Sequence, residues 1–202
     1  MRICFVFLFN AAVLKSMTNG VLKEVTSYVT LSALMKGANR SMNIAVIDAD
    51  LLGRTRHRFP NLACMKISGY HKEQGHSVAL KLDYDGLKEY DKVYISKVFT
   101  DTVVPNEVLT MQNVEYGGTG FFFDQAPPLP YAIEHHMPDY HLYDDYISMK
   151  IASGAPRSEY KSYLNYSIGF LTRGCFRKCG FCVNKNYDRV FAHSPLAEFY
   201  DP

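Results

Sequence analysis

The chain has 202 residues, 48% of them hydrophobic, 14% aromatic and 21% charged, enough to bury a core and to exclude disorder as the dominant state. The 22 Lys and Arg nearly balance the 20 Asp and Glu, and the net charge of +2 gives no strong field for a polyanion, so no nucleic-acid partner is implied. No apolar run reaches the about eighteen residues a membrane span requires, and five cysteines with three crowded into eight positions form a ligand pattern, not a disulfide framework, which points to a reducing, cytoplasmic setting.

Residues 1–41 differ from the rest. Arg2 followed by Ile3-Cys4-Phe5-Val6-Phe7-Leu8-Phe9 has the charged start and short apolar stretch of a secretory signal. Asn10 interrupts that stretch, no small-x-small cleavage site follows, and export would carry the cysteines into an oxidising space. The plainer reading is an N-terminal extension ahead of a start at Met42, with Val21 to Met35 suited to a helix.

Residues 42–126 read as a doubly wound, Rossmann-like α/β domain. Ile44 to Ile47 is a continuous apolar run ended by Asp48-Ala49-Asp50, as in a parallel strand buried on both faces. Pro60 stands where a helix begins, and Phe59, Ala63, Ile67 and Tyr70 repeat at helical spacing until Gly75. Cys64 falls close to the buried face of that helix, and Tyr70-His71-Lys72-Glu73 is its exposed end. Further strands are expected at Val78–Leu82, Val93–Val98 and Val114–Tyr116, with a short helix over Pro105–Met111. This alternation is that of a parallel sheet whose ligands sit at the strand C-terminal ends, here the loops Asp48–Gly53 and Gly117–Gly120 in one crevice.

From Pro127 the prolines at 127, 128, 130 and 138 break both helix and central strand, so residues 127–164 read as an interdomain linker with one short helix at most. Glu134, His135, His136, Asp139, His141, Asp144 and Asp145 are ligand-type residues there, but no regular spacing aligns them and polar packing accounts for them. Residues 165–202 open with a strand expected over Tyr166–Leu171, and Ser194-Pro195 suits the start of a later helix.

That strand leads into Thr172-Arg173-Gly174-Cys175-Phe176-Arg177-Lys178-Cys179-Gly180-Phe181-Cys182, a Cys-x3-Cys-x2-Cys loop. Three thiolates this close can hold three corners of a cubane cluster, whereas structural zinc wants a fourth ligand at a comparable hairpin. Only Cys4 and Cys64 remain, and neither lies in a paired knuckle. An iron-sulfur site is therefore favoured over zinc and over unliganded thiols. Arg173, Arg177 and Lys178 either offset the cluster's negative charge or form a solvated basic loop.

The motif Cys175-x3-Cys179-x-Phe181-Cys182, after a strand and Thr172-Arg173-Gly174, resembles the signature of the radical S-adenosylmethionine superfamily. The resemblance implies a [4Fe-4S] cluster ligated by Cys175, Cys179 and Cys182, with Phe181 beside the adenine of S-adenosylmethionine. It also implies a 5′-deoxyadenosyl radical acting on an unidentified substrate and a reductant protein such as a flavodoxin or ferredoxin. Upstream, the arrangement looks like the subgroup in which a cobalamin-binding-type domain precedes the start of a radical S-adenosylmethionine partial TIM barrel. In the cobalamin motif Asp-x-His-x-x-Gly the histidine ligates cobalt. Here Asp48-Ala49-Asp50-Leu51-Leu52-Gly53 carries Asp50 in its place, so cobalamin remains open without that ligand. Gly117 and Gly118 occupy the position of the paired glycines that approach the cofactor, or else form a strand-end turn needing positive φ. Only the first strand, the cluster loop and one helix of the barrel fit after residue 165, which implies a fragment or a truncated gene product. The rival reading is a non-enzymatic flavodoxin-like module with a cysteine knuckle binding zinc or a partner.

Overall fold

The computed structural model describes residues 40–54 and 59–202; the readings made for residues 1–39 lie outside the described residues. Strands β1 (Asn43–Asp48), β2 (Ser77–Leu80), β3 (Lys92–Ser96) and β4 (Val114–Gly117) form a four-stranded sheet in the order β2-β1-β3-β4. All three pairings are parallel, with Ile44 opposite Val78 and Lys92, and Val93 opposite Val114. The chain moves to one side of β1 and then returns to the other, so the topological switch point lies between β1 and β3. This is a mixed α/β, Rossmann-like architecture.

Both sheet faces are covered, which is why β1 reads as an unbroken apolar run. Ile44 and Val46 point to one face and join Cys64, Met65 and Ile67. Ala45 and Ile47 point to the other and join Val93, Ile95, Val104, Val108 and Leu87, the last on a short 3-10 turn (Leu87–Glu89). Each Val, Leu, Ile or Met side chain among them stabilises by roughly 1.5–3 kcal/mol on full burial.

After β1 comes a short helix, α1 (Ala49–Gly53), and then the principal helix, α2 (Leu62–Glu73). Asn61, not Pro60, caps α2: its side-chain oxygen accepts from the amides of Ala63 at 3.1 Å and Cys64 at 3.3 Å. Pro60 precedes the cap. On α2, Cys64, Met65, Lys66, Ile67 and Ser68 are buried in unbroken succession, which one covered face cannot produce. The second cover is the segment read from sequence as a linker.

Two short helices, α3 (Asn106–Leu109) and α4 (Thr119–Phe122), come first, and residues 127–164 then carry three α-helices set around core anchors: α5 (Tyr131–Glu134), α6 (Asp144–Ala152) and α7 (Lys161–Leu164). Ile133, Leu142, Tyr143, Ile147, Tyr160 and Tyr163 share one core cluster with β1 and α2. The prolines separate helices without detaching them. The Asp139 amide donates to the Met65 carbonyl at 2.9 Å, and the Ser68 hydroxyl donates to Asp139 at 2.6 Å. His71, expected on an exposed helix end, is buried and pairs with the Tyr94 hydroxyl at 3.1 Å. The strand expected over Tyr166–Leu171 arrives later: β5 (Thr172–Gly174) pairs antiparallel with β6 (Val190–Ala192), while upstream the Ile168 amide donates to the Tyr140 hydroxyl. Ser194-Pro195 leads into a 3-10 turn (Leu196–Glu198).

The contact between α2 and the later segment is closest at Gly69, where a Cβ would stand 2.4 Å from the Met137 carbonyl oxygen. A Gly to Ala change inside an exposed helix gains about 1 kcal/mol. Gly69→Ala should instead lower the chemical-denaturation midpoint, because the Met137 backbone has to move; a raised midpoint would show that residues 127–164 do not dock on α2.

Candidate functional site

At the switch point the carboxyl ends of β1 and β3 hold a buried polar network. The Tyr143 hydroxyl donates to Asp48 at 3.0 Å and accepts from the Asn61 amide at 3.0 Å, and the Asn61 side-chain amide donates to Ser96 at 3.0 Å. Cys64 is fully buried beside them, its thiol 3.7 Å from the Ile47 carbonyl oxygen. Burial first, then the Asp48 and Asp50 carboxylates, push that thiol well above its ordinary pKa, so it stays protonated and inert. Burial likewise raises the Tyr143 phenol, with Asp48 adding to it, and the phenol remains a donor to Asp48.

Asp50 is also fully buried. Its carboxylate accepts from the Val98 amide at 2.7 Å, the Phe99 amide at 3.4 Å and the Thr102 hydroxyl at 2.5 Å. It therefore organises the loop after β3, and it is committed to that loop at the position where the cobalamin motif has its cobalt ligand. The glycine loop packs against the same segment. Gly118 has φ of 104°, and a Cβ there would meet the Lys97 carbonyl oxygen at 2.3 Å, while the Gly120 amide donates to that oxygen at 2.9 Å. The two loops thus meet on Lys97–Thr102, and the close approach that demands glycine at position 118 is to protein backbone. Gly117 has open space where a Cβ would stand.

The three motif cysteines lie in the loop of the β5–β6 hairpin. Cys175, Cys179 and Cys182 are free thiols of intermediate exposure. The Arg177 amide lies 3.4 Å from Cys175 Sγ and the Asn184 amide 3.4 Å from Cys182 Sγ, both as donors, and the Cys182 amide closes a turn onto the Cys179 carbonyl at 3.0 Å. Phe181 is 87% exposed and Phe176 69%. Among the described residues, no three His, Cys, Asp or Glu side chains are already gathered at metal-holding spacing. The donor set fits a thiophilic group: three uncommitted sulfurs on one short loop, two of them receiving backbone N–H donors.

Two ties fix the hairpin to the α/β layer. Near the loop's end, Lys185 pairs with Asp124 at 3.0 Å and the Asn186 side chain donates to Asp124 at 3.2 Å and to its carbonyl. This brings the cysteine loop against the segment that follows Gly120. At the base, Glu134 receives Arg173 at 2.8 Å, Lys66 at 3.3 Å and His193 at 3.4 Å. Of the local cations, Arg173 and Lys178 are thereby paired, Lys178 with Asp188, and Arg177 stands over the Phe176 ring at 5.9 Å. Most of the other ligand-type residues of 134–145 are also engaged: His136 with Glu73 at 2.7 Å, His141 with Asp144 at 2.9 Å, and His135 with Glu198 at 2.8 Å.

Compared with known protein families, curated proteins and solved structures, the chain matches no family model, no curated protein and no solved structure. Tyr143 and Asn61 were not singled out from sequence. Asn61, directly ahead of the helical repeat, carried a capping signal, whereas nothing local marks Tyr143, whose partners lie 82 and 95 residues away.

Two outcomes follow from this electrostatic arrangement. Replacing Asp50 by Ala should accelerate hydrogen exchange at the Val98 and Phe99 amides while exchange at Ala45 and Val46 changes far less; unchanged exchange at 98 and 99 would remove the loop-organising role. The second concerns His71, whose pKa is lowered by burial and then by neighbouring His76. The unfolded chain therefore takes up its proton first. Stability should be full above the unfolded pKa of about 6.5 and fall as pH drops through that value. The loss in denaturation midpoint between pH 7 and pH 5 should shrink in His71→Gln; an identical loss would mean that His71 titrates alike in both states.

Proposed function

We propose that the β5–β6 hairpin is an iron-sulfur site of the radical S-adenosylmethionine type, with Cys175, Cys179 and Cys182 as the three protein ligands of a [4Fe-4S] cluster. The observation that carries this reading is the set of three free thiols on one hairpin loop in Cys-x3-Cys-x2-Cys order. The chemistry supplied by such a cluster when bound is one-electron reduction of S-adenosylmethionine, giving methionine and a 5′-deoxyadenosyl radical.

The chain's own residues have the following parts. Arg177 and Asn184 donate amide hydrogens toward the Cys175 and Cys182 sulfurs, which orients two of the three sulfurs on the loop. Phe181, the most exposed aromatic ring of the loop, offers a flat apolar face on which an adenine can stack. Asp124 and Glu134 hold the two ends of the hairpin on the α/β layer. In this reading the parallel-sheet domain descends from the cobalamin-binding type but supplies no side-chain ligand to cobalt, since Asp50 is engaged with Val98, Phe99 and Thr102. Electrons come from a small reductant protein of the flavodoxin or ferredoxin class, and the substrate is unassigned.

One observation favours a second reading, a zinc or partner-binding knuckle: the cysteines sit between antiparallel strands, a frequent setting for structural zinc. Against it, the loop from Cys175 to Arg189 contains no histidine and no fourth cysteine.

Anaerobic reconstitution with iron and sulfide separates the two. The wild-type chain should turn brown and absorb near 400 nm, and Cys175→Ala, Cys179→Ala and Cys182→Ala should each lose iron while Cys64→Ala keeps it. Equal iron in all four variants would overturn the assignment. A colourless protein retaining stoichiometric zinc would establish the knuckle.

A further inference from the structure

We propose that Glu134 is the positioning residue of the cysteine hairpin. One of its carboxylate oxygens clamps both strands of the hairpin to helix α2 and so sets where the three thiols stand. This rests on the reading of the hairpin as a cluster site, and the clamp itself can be tested without any metal.

The geometry is specific. Glu134 Oε1 receives Arg173 Nη2 at 2.8 Å, from β5, and His193 Nε2 at 3.4 Å, from the residue directly after β6. The same oxygen receives Lys66 Nζ at 3.3 Å, and Lys66 also donates to the Glu134 main-chain carbonyl. Lys66 is 4% exposed and Glu134 15%, so the charges face each other largely out of water, where pairing is strong and an unpaired remainder is costly. Arg173 Nε is buried without a partner, so the guanidinium is fixed by its bond to Glu134 and by the Phe170 ring, 4.5 Å from it. Arg173 stands two residues before Cys175. A shift of the guanidinium moves the first ligand with it.

The group is poised for one protonation arrangement. Burial lowers the His193 pKa, with Arg173 adding to the effect against the opposing pull of Glu134, so His193 is neutral at pH 7 and two cations share the carboxylate. The His135 ring stacks on His193 at 5.3 Å and is itself held by Glu198. Nothing in the cysteine motif encodes this clamp, and Glu134 itself makes no contact with the loop from 175 to 189 among the described interactions. Its influence on the thiols is through Arg173 and His193.

The test uses the full chain, first without metal. Because Glu134→Gln alone leaves Lys66 buried and unpaired, the informative variant is Glu134→Gln with Lys66→Met, which removes both charges. Hydrogen exchange at the His193 and Ser194 amides, which donate to Leu171 and Phe170, should rise about tenfold or more as local opening, while exchange at Ala45–Ile47 stays as in the wild type. Alkylation of Cys175 by iodoacetamide should change rate in parallel, and Glu134→Asp should restore part of the difference. After iron and sulfide reconstitution, the variant should hold less iron and show an altered electron paramagnetic resonance line shape on reduction. Unchanged hairpin exchange in the double variant would overturn the proposal, as would equal loss of protection in β1, which marks a general stability defect. If the wild-type chain takes up no iron, the cluster reading falls, and hairpin exchange and Cys175 alkylation still decide whether Glu134 is the clamp.

Discussion

The rest of the structure depends on helix α2 being covered on both sides. A helix packed on one layer can send its polar side chains to water, but α2 buries Lys66, Ser68 and His71 along with its apolar residues. Each buried polar group must then find a partner within the protein or lose about 1–3 kcal/mol. Ser68 finds Asp139, His71 finds Tyr94, and Lys66 finds Glu134. Two of these three partners come from residues 127–164, so the polar side chains of α2 determine how the later segment docks. Apolar contact at Ile133, Tyr143 and Ile147 supplies the adhesion; the polar pairs supply the register.

A second consequence concerns the crevice at the switch point. In open α/β sheets that crevice is the usual ligand position, yet here its polar atoms serve the chain itself. Asp48 and Asn61 hold Tyr143, Asp50 holds the loop after β3, and Gly118 accepts the Lys97 backbone. The sheet ends act as a platform. What stands uncommitted is one step away, on the hairpin tied to Asp124 and Glu134. Asp50 suits that work because a carboxylate accepts from two amides and a hydroxyl at once, which a neutral imidazole with a single acceptor nitrogen cannot do.

How far the sequence was legible follows from the range of the interactions involved. The parallel sheet and α2 were readable because their signals are local: the apolar run Ile44–Ile47, the helical repeat through Ile67, and Gly75 as a stop. The cysteine loop was readable because its spacing is itself the signal. The docking of residues 127–164 was not, since Pro127, Pro128, Pro130 and Pro138 break regular structure without preventing burial, and the partners of Tyr143 and Glu134 lie far away in the chain. The same blindness affected Arg173, which as sequence looks like a free cation beside a cysteine and in the fold is paired with Glu134.

The pairing of the cations bears directly on what can stabilise charge at the hairpin. Arg173, Lys178 and Lys185 are matched by Glu134, Asp188 and Asp124, and Arg177 stands over the Phe176 ring instead of against a carboxylate. What remains close to sulfur is backbone: the Arg177 and Asn184 amides at 3.4 Å. Fixed N–H dipoles favour an anion without adding a mobile counter-charge, and they do so most effectively where water is thin. At the same loop Phe176 and Phe181 are turned outward, 69% and 87% exposed. Covering an aromatic ring of that kind is worth roughly 1.5–3 kcal/mol. A ligand that binds the sulfurs and also presents a flat apolar surface therefore meets both features of the hairpin, whereas a bare divalent cation meets only the sulfurs and leaves both rings in water.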